Sequence, residues 1–129
     1  MKKHKYLREL FPEGNLPFPY SEEDYSDFDE RDTFSMDYTL TMWLYERLRF
    51  FQEEVSKDID MTEKLYMFGK EVLIDGKETT MQDCVDRMVE DCKLIVLALN
   101  GIPEDWAVAE TAKNDLFMVL SKVYWTMWW

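Results

Sequence analysis

Most side chains able to do chemistry here are carboxylates. The 129-residue chain holds 27 Asp and Glu against 15 Lys and Arg, with one histidine and two cysteines. That histidine, His4, lies in a basic tip (Lys2, Lys3, Lys5, Arg8) expected to be mobile, so a Ser-His or Cys-His system has no oriented base. Cys84 and Cys92 stand eight apart on one helical face, short of the four ligands of a structural zinc site. They read as small core fillers. Gly14, Gly69, Gly76 and Gly101 are too scattered to cradle a phosphate. The spacings predict no catalytic residue, no metal site and no cofactor.

Acids on facing helices remain, because hard cations take oxygen ligands. All-α nucleotide pyrophosphatases of the MazG kind use a Glu-Glu-x-x-Glu helix opposite a Glu-x-x-Asp helix. Here Glu53-Glu54 is followed by Lys57 where the third acid belongs, and Asp83, Asp86 and Glu90 supply Asp-x-x-Asp on the later helix. The angular positions set those three acids opposite the Met88/Ile95 face, towards solvent. A Mg²⁺-dependent nucleotide hydrolase is therefore an alternative and not the leading expectation.

Acids and aromatics also make interfaces. Residues 22–32 carry seven carboxylates (Glu22, Glu23, Asp24, Asp27, Asp29, Glu30, Asp32) and a single Arg31. A DNA duplex carries one charge per about 1.7 Å, and an extended chain advances roughly 3.3 Å per residue. This stretch approaches that charge density and suits a partner's basic groove; the plainer reading is a solvated acidic segment. At the other end, Trp125 and Trp129 share a stripe with Met118, away from the Leu116/Leu120/Val123 face. That stripe is covered by another segment of the chain, is an aromatic anchor for a partner, or forms a homodimer contact.

The elements that position these groups are mainly helical. Phe11 to Tyr20 holds three prolines and a glycine, so residues 11–34 read as an extended arm pinned by apolar residues such as Phe11 and Leu16. A helix over about 35–57, capped by Ser35, presents Leu40, Leu44, Leu48, Phe51 and Val55 on one face and Met36, Trp43 and Phe50 beside it. This breadth predicts the central helix. Met61, Leu65 and Phe68 fit one or two helical turns ending at Gly69, and a short β-hairpin follows over about 70–79 with Asp75-Gly76 at its turn. Thr80 and Asp83 approximate a capping box for a helix burying Met81, Cys84, Val85, Met88, Cys92, Ile95, Val96 and Leu99. Asn100-Gly101 stops it. The last helix, about 103–127, buries Ala109, Leu116, Leu120, Val123 and Met127. The fold class is mainly α: a small helical bundle over 35–129, behind a basic tip and acidic arm over 1–34.

Composition narrows the function. Four of the 15 basic residues fall in the first eight positions, so residues 9–129 carry 27 acids against 11 bases. Phosphate repels such a surface, which argues against direct nucleic-acid binding. The longest apolar run, Leu94 to Leu99, spans no bilayer, and no signal-length apolar stretch follows the basic start. With two cysteines, a reducing cytoplasm is the expected setting.

Asp32-Thr-Phe-Ser-Met-Asp-Tyr-Thr-Leu40, the Arg47-Leu-Arg-Phe-Phe51 helix end, Asp83-Cys-Val-Asp-Arg-Met-Val-Glu90 and the Trp-rich terminus resemble small acidic helical proteins encoded by bacteriophages and prophages. The resemblance covers roughly residues 30–129, with Glu46 near a position where those proteins carry proline. It implies no catalytic residue. It implies a phage protein acting in the host bacterial cytoplasm, and together with the charge it suggests an anti-CRISPR or anti-defence inhibitor of a host protein with a basic nucleic-acid-binding groove. A phage structural or assembly protein is the other non-enzymatic alternative.

Overall fold

The computed structural model describes residues 4–12, 14, 16–17, 20, 36–102 and 105–126. Within them lie four helices, α1 (Lys5–Leu10), α2 (Met36–Glu53), α3 (Met81–Leu99) and α4 (Trp106–Val123), and four short strands between α2 and α3. Single 3₁₀ turns, Val55–Lys57 and Tyr124–Thr126, extend α2 and α4. The expected mainly helical bundle is the fold.

The central helix is α3 and not α2. It packs against both α2 and α4 and runs antiparallel to each. Its amphipathic stripe is the widest: Val85, Met88, Cys92 and Val96 are fully buried, against Met42 and Leu48 of α2 and Leu116, Val119 and Val123 of α4. The Thr80 side chain caps it by accepting from the Asp83 N–H at 3.1 Å. Asn100 ends it, and Gly101 (φ 74°) turns the chain in the left-handed region. Asp105 then caps α4, accepting from the Ala107 and Val108 N–H groups at 3.1 Å.

In the first half of α2 the buried face is rotated from the expected one. Met42, Tyr45, Leu48 and Phe51 point inward with Thr39 and Thr41, whereas Leu40, Met36, Trp43 and Phe50 are exposed. Two threonines can line the core because a helix-side hydroxyl can be satisfied locally: Thr41 Oγ1 donates to the Asp37 carbonyl at 2.6 Å. The expected stripe holds at its C-terminal end, where Leu48, Phe51 and Val55 are buried, and gives way to Met42 and Tyr45 nearer the N-terminal end, where Leu40 is exposed.

Residues 4–10 are held in place. Leu7 is fully buried and Tyr6 nearly so, which docks α1 on α2. His4 Nδ1 lies 2.6 Å from Glu46 Oε1, and its ring packs against Tyr20, tilted by 37° with centroids 4.2 Å apart. Arg49 grips both Glu9 oxygens at 3.1–3.2 Å and bonds Gln52 and Glu53 on its own helix. Leu16 is buried as well. Most of the acidic arm and the Ser35 cap lie outside the described residues.

Two hairpins replace the expected helical turn plus single hairpin. β1 (Tyr66–Met67) pairs with β2 (Lys70–Glu71), and β3 (Leu73–Ile74) with β4 (Lys77–Glu78), both antiparallel. Each has a two-residue turn with both residues at positive φ, Phe68-Gly69 and Asp75-Gly76, as hairpin twist requires. Phe68 is 86% exposed, so it supplies no helical core contact at all. Leu65 ties the hairpins together: its N–H reaches the Thr79 carbonyl at 2.9 Å and its carbonyl accepts from Val72 at 3.0 Å. Val72 and Ile74 are the buried anchors.

Candidate functional site

Ion pairing between α3, α4 and the second hairpin builds the most distinctive polar cluster. Arg87 and Asp91 are one turn apart on α3, at the edge facing α4. Arg87 Nε donates to Asp115 Oδ2 at 2.8 Å, and Nη2 donates to Asp115 Oδ1, a two-pronged contact. Its Nη1 donates to Asp75 Oδ2 at 2.9 Å, which pulls the β3–β4 turn against both helices. The guanidinium is thereby committed to Asp115 and Asp75.

Asp91 is left over. It is only 8% exposed, its Oδ2 is shut off from solvent, and among the described residues no N–H or hydroxyl donor reaches that atom. Its neighbour is the Asp115 carboxyl, itself an acceptor. Burial, then the contact with Asp115 and that group's charge, push the Asp91 carboxyl up to about 8. The Arg87 hydrogen bonds hold Asp115 below the usual carboxylate range. The two carboxyls are hydrogen-bonded to each other and titrate as a pair, with the proton favoured on the more buried Asp91. Alongside runs a groove of about 400 Å³, lined by Asp91 and Asp115 and by Leu94, Ala107, Val108, Thr111 and Ala112. Apolar walls with one concentrated polar group are what a small-ligand site needs.

The carboxylates singled out by spacing are dispersed. Glu53 and Asp86 line one polar depression of about 500 Å³ between α2 and α3, together with Arg49, Asp60 and Gln82. Glu53 is bonded by Arg49 at 2.8 Å, which lowers its carboxyl, and Asp86 accepts from Gln52 at 2.7 Å. Glu54 turns to Lys57, Asp83 sits by the second hairpin, and Glu90 faces the α1 side. Among the described residues no group of three or more His, Cys, Asp or Glu is placed to share a metal ion. Nor is any described helix long and apolar enough to cross a membrane. Cys84 and Cys92 are buried, and burial pushes the Cys92 thiol up to about 12.

Of the expected partner-binding residues, Glu22, Glu23, Asp24, Asp27, Asp29, Glu30, Asp32 and Trp129 lie outside the described residues. Trp125 is 62% exposed in the terminal 3₁₀ turn, edge-on to Tyr124 at 5.0 Å between centroids. Further apolar side chains lie on the surface: Met36, Leu40, Trp43 and Phe50 along α2, where Arg47 stacks on Trp43 at 4.3 Å, and Trp106 and Phe117 on α4. Spacing arguments missed Asp91. Its available signal was Arg87-x-x-x-Asp91 on the border of the Met88/Cys92/Ile95 face, where an acid has to be buried or shielded. No protein-family description, characterised protein or solved structure matches the chain.

Proposed function

We propose that this is a non-enzymatic phage protein of the anti-CRISPR or anti-defence type, which occupies the basic nucleic-acid-binding groove of a host protein. The observation that carries the reading is the combination of 27 acids against 11 bases over residues 9–129 with a bundle whose outer faces display Trp43, Trp106, Phe117 and Trp125. Negative charge steers an acidic protein towards a cationic groove. Exposed aromatics then supply contact area of the kind that dominates interface energetics. The seven carboxylates of residues 22–32 are the densest source of that charge. Affinity capture from infected host lysate identifies the partner. Replacing Glu22, Glu23, Asp24, Asp27, Asp29 and Glu30 by Asn or Gln then tests the charge: capture should weaken and lose its salt sensitivity. Unchanged capture at unchanged salt sensitivity overturns charge imitation.

A second reading rests on Glu53 and Asp86 lining the same depression. A carboxylate-dependent nucleotide hydrolase would show Mg²⁺-dependent turnover that Asp86→Asn abolishes. The inhibitor reading expects no turnover in either protein.

A further inference from the structure

We propose that the outward face of α2 is a homodimer seam, on which a second copy of this chain packs antiparallel about a twofold axis between Trp43 and Arg47. The inference is independent of the inhibitor reading, and its test needs only the purified chain, so either can fail without the other. It assigns Trp43 to the seam and leaves Trp106, Phe117 and Trp125 exposed.

The spacing of the face leads there first. Met36, Leu40, Trp43, Arg47, Phe50 and Glu54 recur at steps of 4, 3, 4, 3 and 4, the alternation of the two seam positions of a coiled coil. At 100° per residue they stay within about 80° of arc, centred opposite Tyr45. The other side of α2, where Tyr45, Leu48 and Phe51 are buried, is taken by α1 and α3. The four apolar members of the stripe are 48–60% exposed.

The order of these residues fits a copy of itself. Set antiparallel about that axis, Leu40 of one chain meets Phe50 of the other, Met36 meets the stem of Glu54, and Trp43 meets Arg47. Both halves then repeat the same contacts, as a twofold interface requires. Arg47 already lies over the Trp43 ring of its own chain at 4.3 Å, and in the seam its cation faces two indoles. A parallel copy would instead set Arg47 against Arg47.

Charge favours a copy over a basic partner. Residues 38–52 hold one acid, Glu46, against Arg47 and Arg49, in a chain of net charge −12. Glu46 faces His4 at 2.6 Å, and Glu54 is paired with Lys57 at 3.1 Å. Two chains that repel elsewhere can therefore approach here, whereas a cationic groove gains nothing from this face. The area suits a weak pair. The apolar side chains and Arg47 expose roughly 500 Å² per copy, so about 1,000 Å² is covered in total, the lower edge of specific interfaces.

The test is sedimentation velocity of the intact chain between about 1 µM and about 300 µM. The monomer should give way to a species of twice the mass, with a Kd of about tens of micromolar. Raising salt to about 0.5 M should tighten the pair at least about threefold, because repulsion between the acidic bodies is screened and the seam is apolar. Leu40→Glu and Trp43→Ala should each weaken it at least about tenfold. Both side chains are exposed, so the circular dichroism of these variants should match the parent's. Register is read by disulfide capture: Leu40→Cys mixed with Phe50→Cys should cross-link, and neither variant alone should. Cys84 and Cys92 are buried and do not compete. The proposal is overturned if the chain stays monomeric at high salt, as it would if a different partner covers the stripe. It is equally overturned if salt loosens the pair, if either variant dimerises as the parent does, which would place the contact at another face such as Trp125, or if each cysteine variant cross-links alone.

Discussion

Arg87 holds Asp115 by both carboxylate oxygens, one contact at 2.8 Å, and so couples the middle of α3 to the middle of α4. Replacing Arg87 by Met removes the only cation bonded to Asp115 among the described contacts and also frees Asp75. Breaking a fully buried pair costs about 3–5 kcal/mol. Arg87 is partly exposed, and solvent screening reduces the expected loss to about 1–2 kcal/mol in urea denaturation. Arg87→Lys should recover little of it, because an ammonium cannot make the two-pronged contact.

Asp91 should make stability depend on pH. Its carboxyl is raised in the folded protein, to about 8, from about 3.9 when unfolded. The raised group stabilises the fold fully below about pH 4, and this contribution is lost as pH rises towards 8, by at most about 1.4 kcal/mol per pH unit. Asp115 is depressed and acts in the opposite sense; its contribution is present above pH 4 and lost only below it. Between pH 5 and 8 the Asp91 slope therefore dominates this pair. Asp91→Asn should flatten the dependence and raise the melting temperature most at pH 8, as measured by thermal denaturation across that range.

For α1 the anchor is apolar. Leu7 is fully buried, so Leu7→Ala should cost about 2–4 kcal/mol. Glu9→Gln disrupts an exposed contact with Arg49 and should cost less than about 1 kcal/mol. Chemical denaturation of the two variants separates these outcomes; equal losses would mean that the ion pair docks the helix.

Phe68 offers a stabilising change. It holds a positive φ of 53° beside Gly69 while nearly fully exposed, so a bulky side chain gains no packing there. Phe68→Asn creates the Asn-Gly pair that such turns favour and should add about 0.5–1 kcal/mol. Gly76→Ala, at φ 76°, should lose about 1 kcal/mol for the converse reason. Both are read from thermal denaturation.

The legible parts of the fold were those decided by local chemistry. Thr80 before the Cys84/Met88/Cys92 stripe, Asn100-Gly101 after it, and the Asp75-Gly76 turn all act within a few residues, and each stands where its spacing implied. Choices decided by tertiary packing were less readable. Nothing local to Leu40 says that it faces water while Thr39 and Thr41 are buried; the approach of α3 to Met42 and Tyr45 decides that. Phe68-Gly69 was misread because a phenylalanine at positive φ goes against its own preference. The carboxyl pair was hidden for a related reason. Asp91 and Asp115 lie 24 positions apart and meet only once α3 and α4 have packed.

The two thiols have a consequence of their own. Cys84 and Cys92 lie inside the helix that every larger element leans on, and burial disfavours both thiolates. A soluble disulfide reagent can reach Cys92 only through an opening that separates α3 from its neighbours. The rate of labelling in the unmodified chain thus clocks the cooperative opening of the bundle, with no introduced probe.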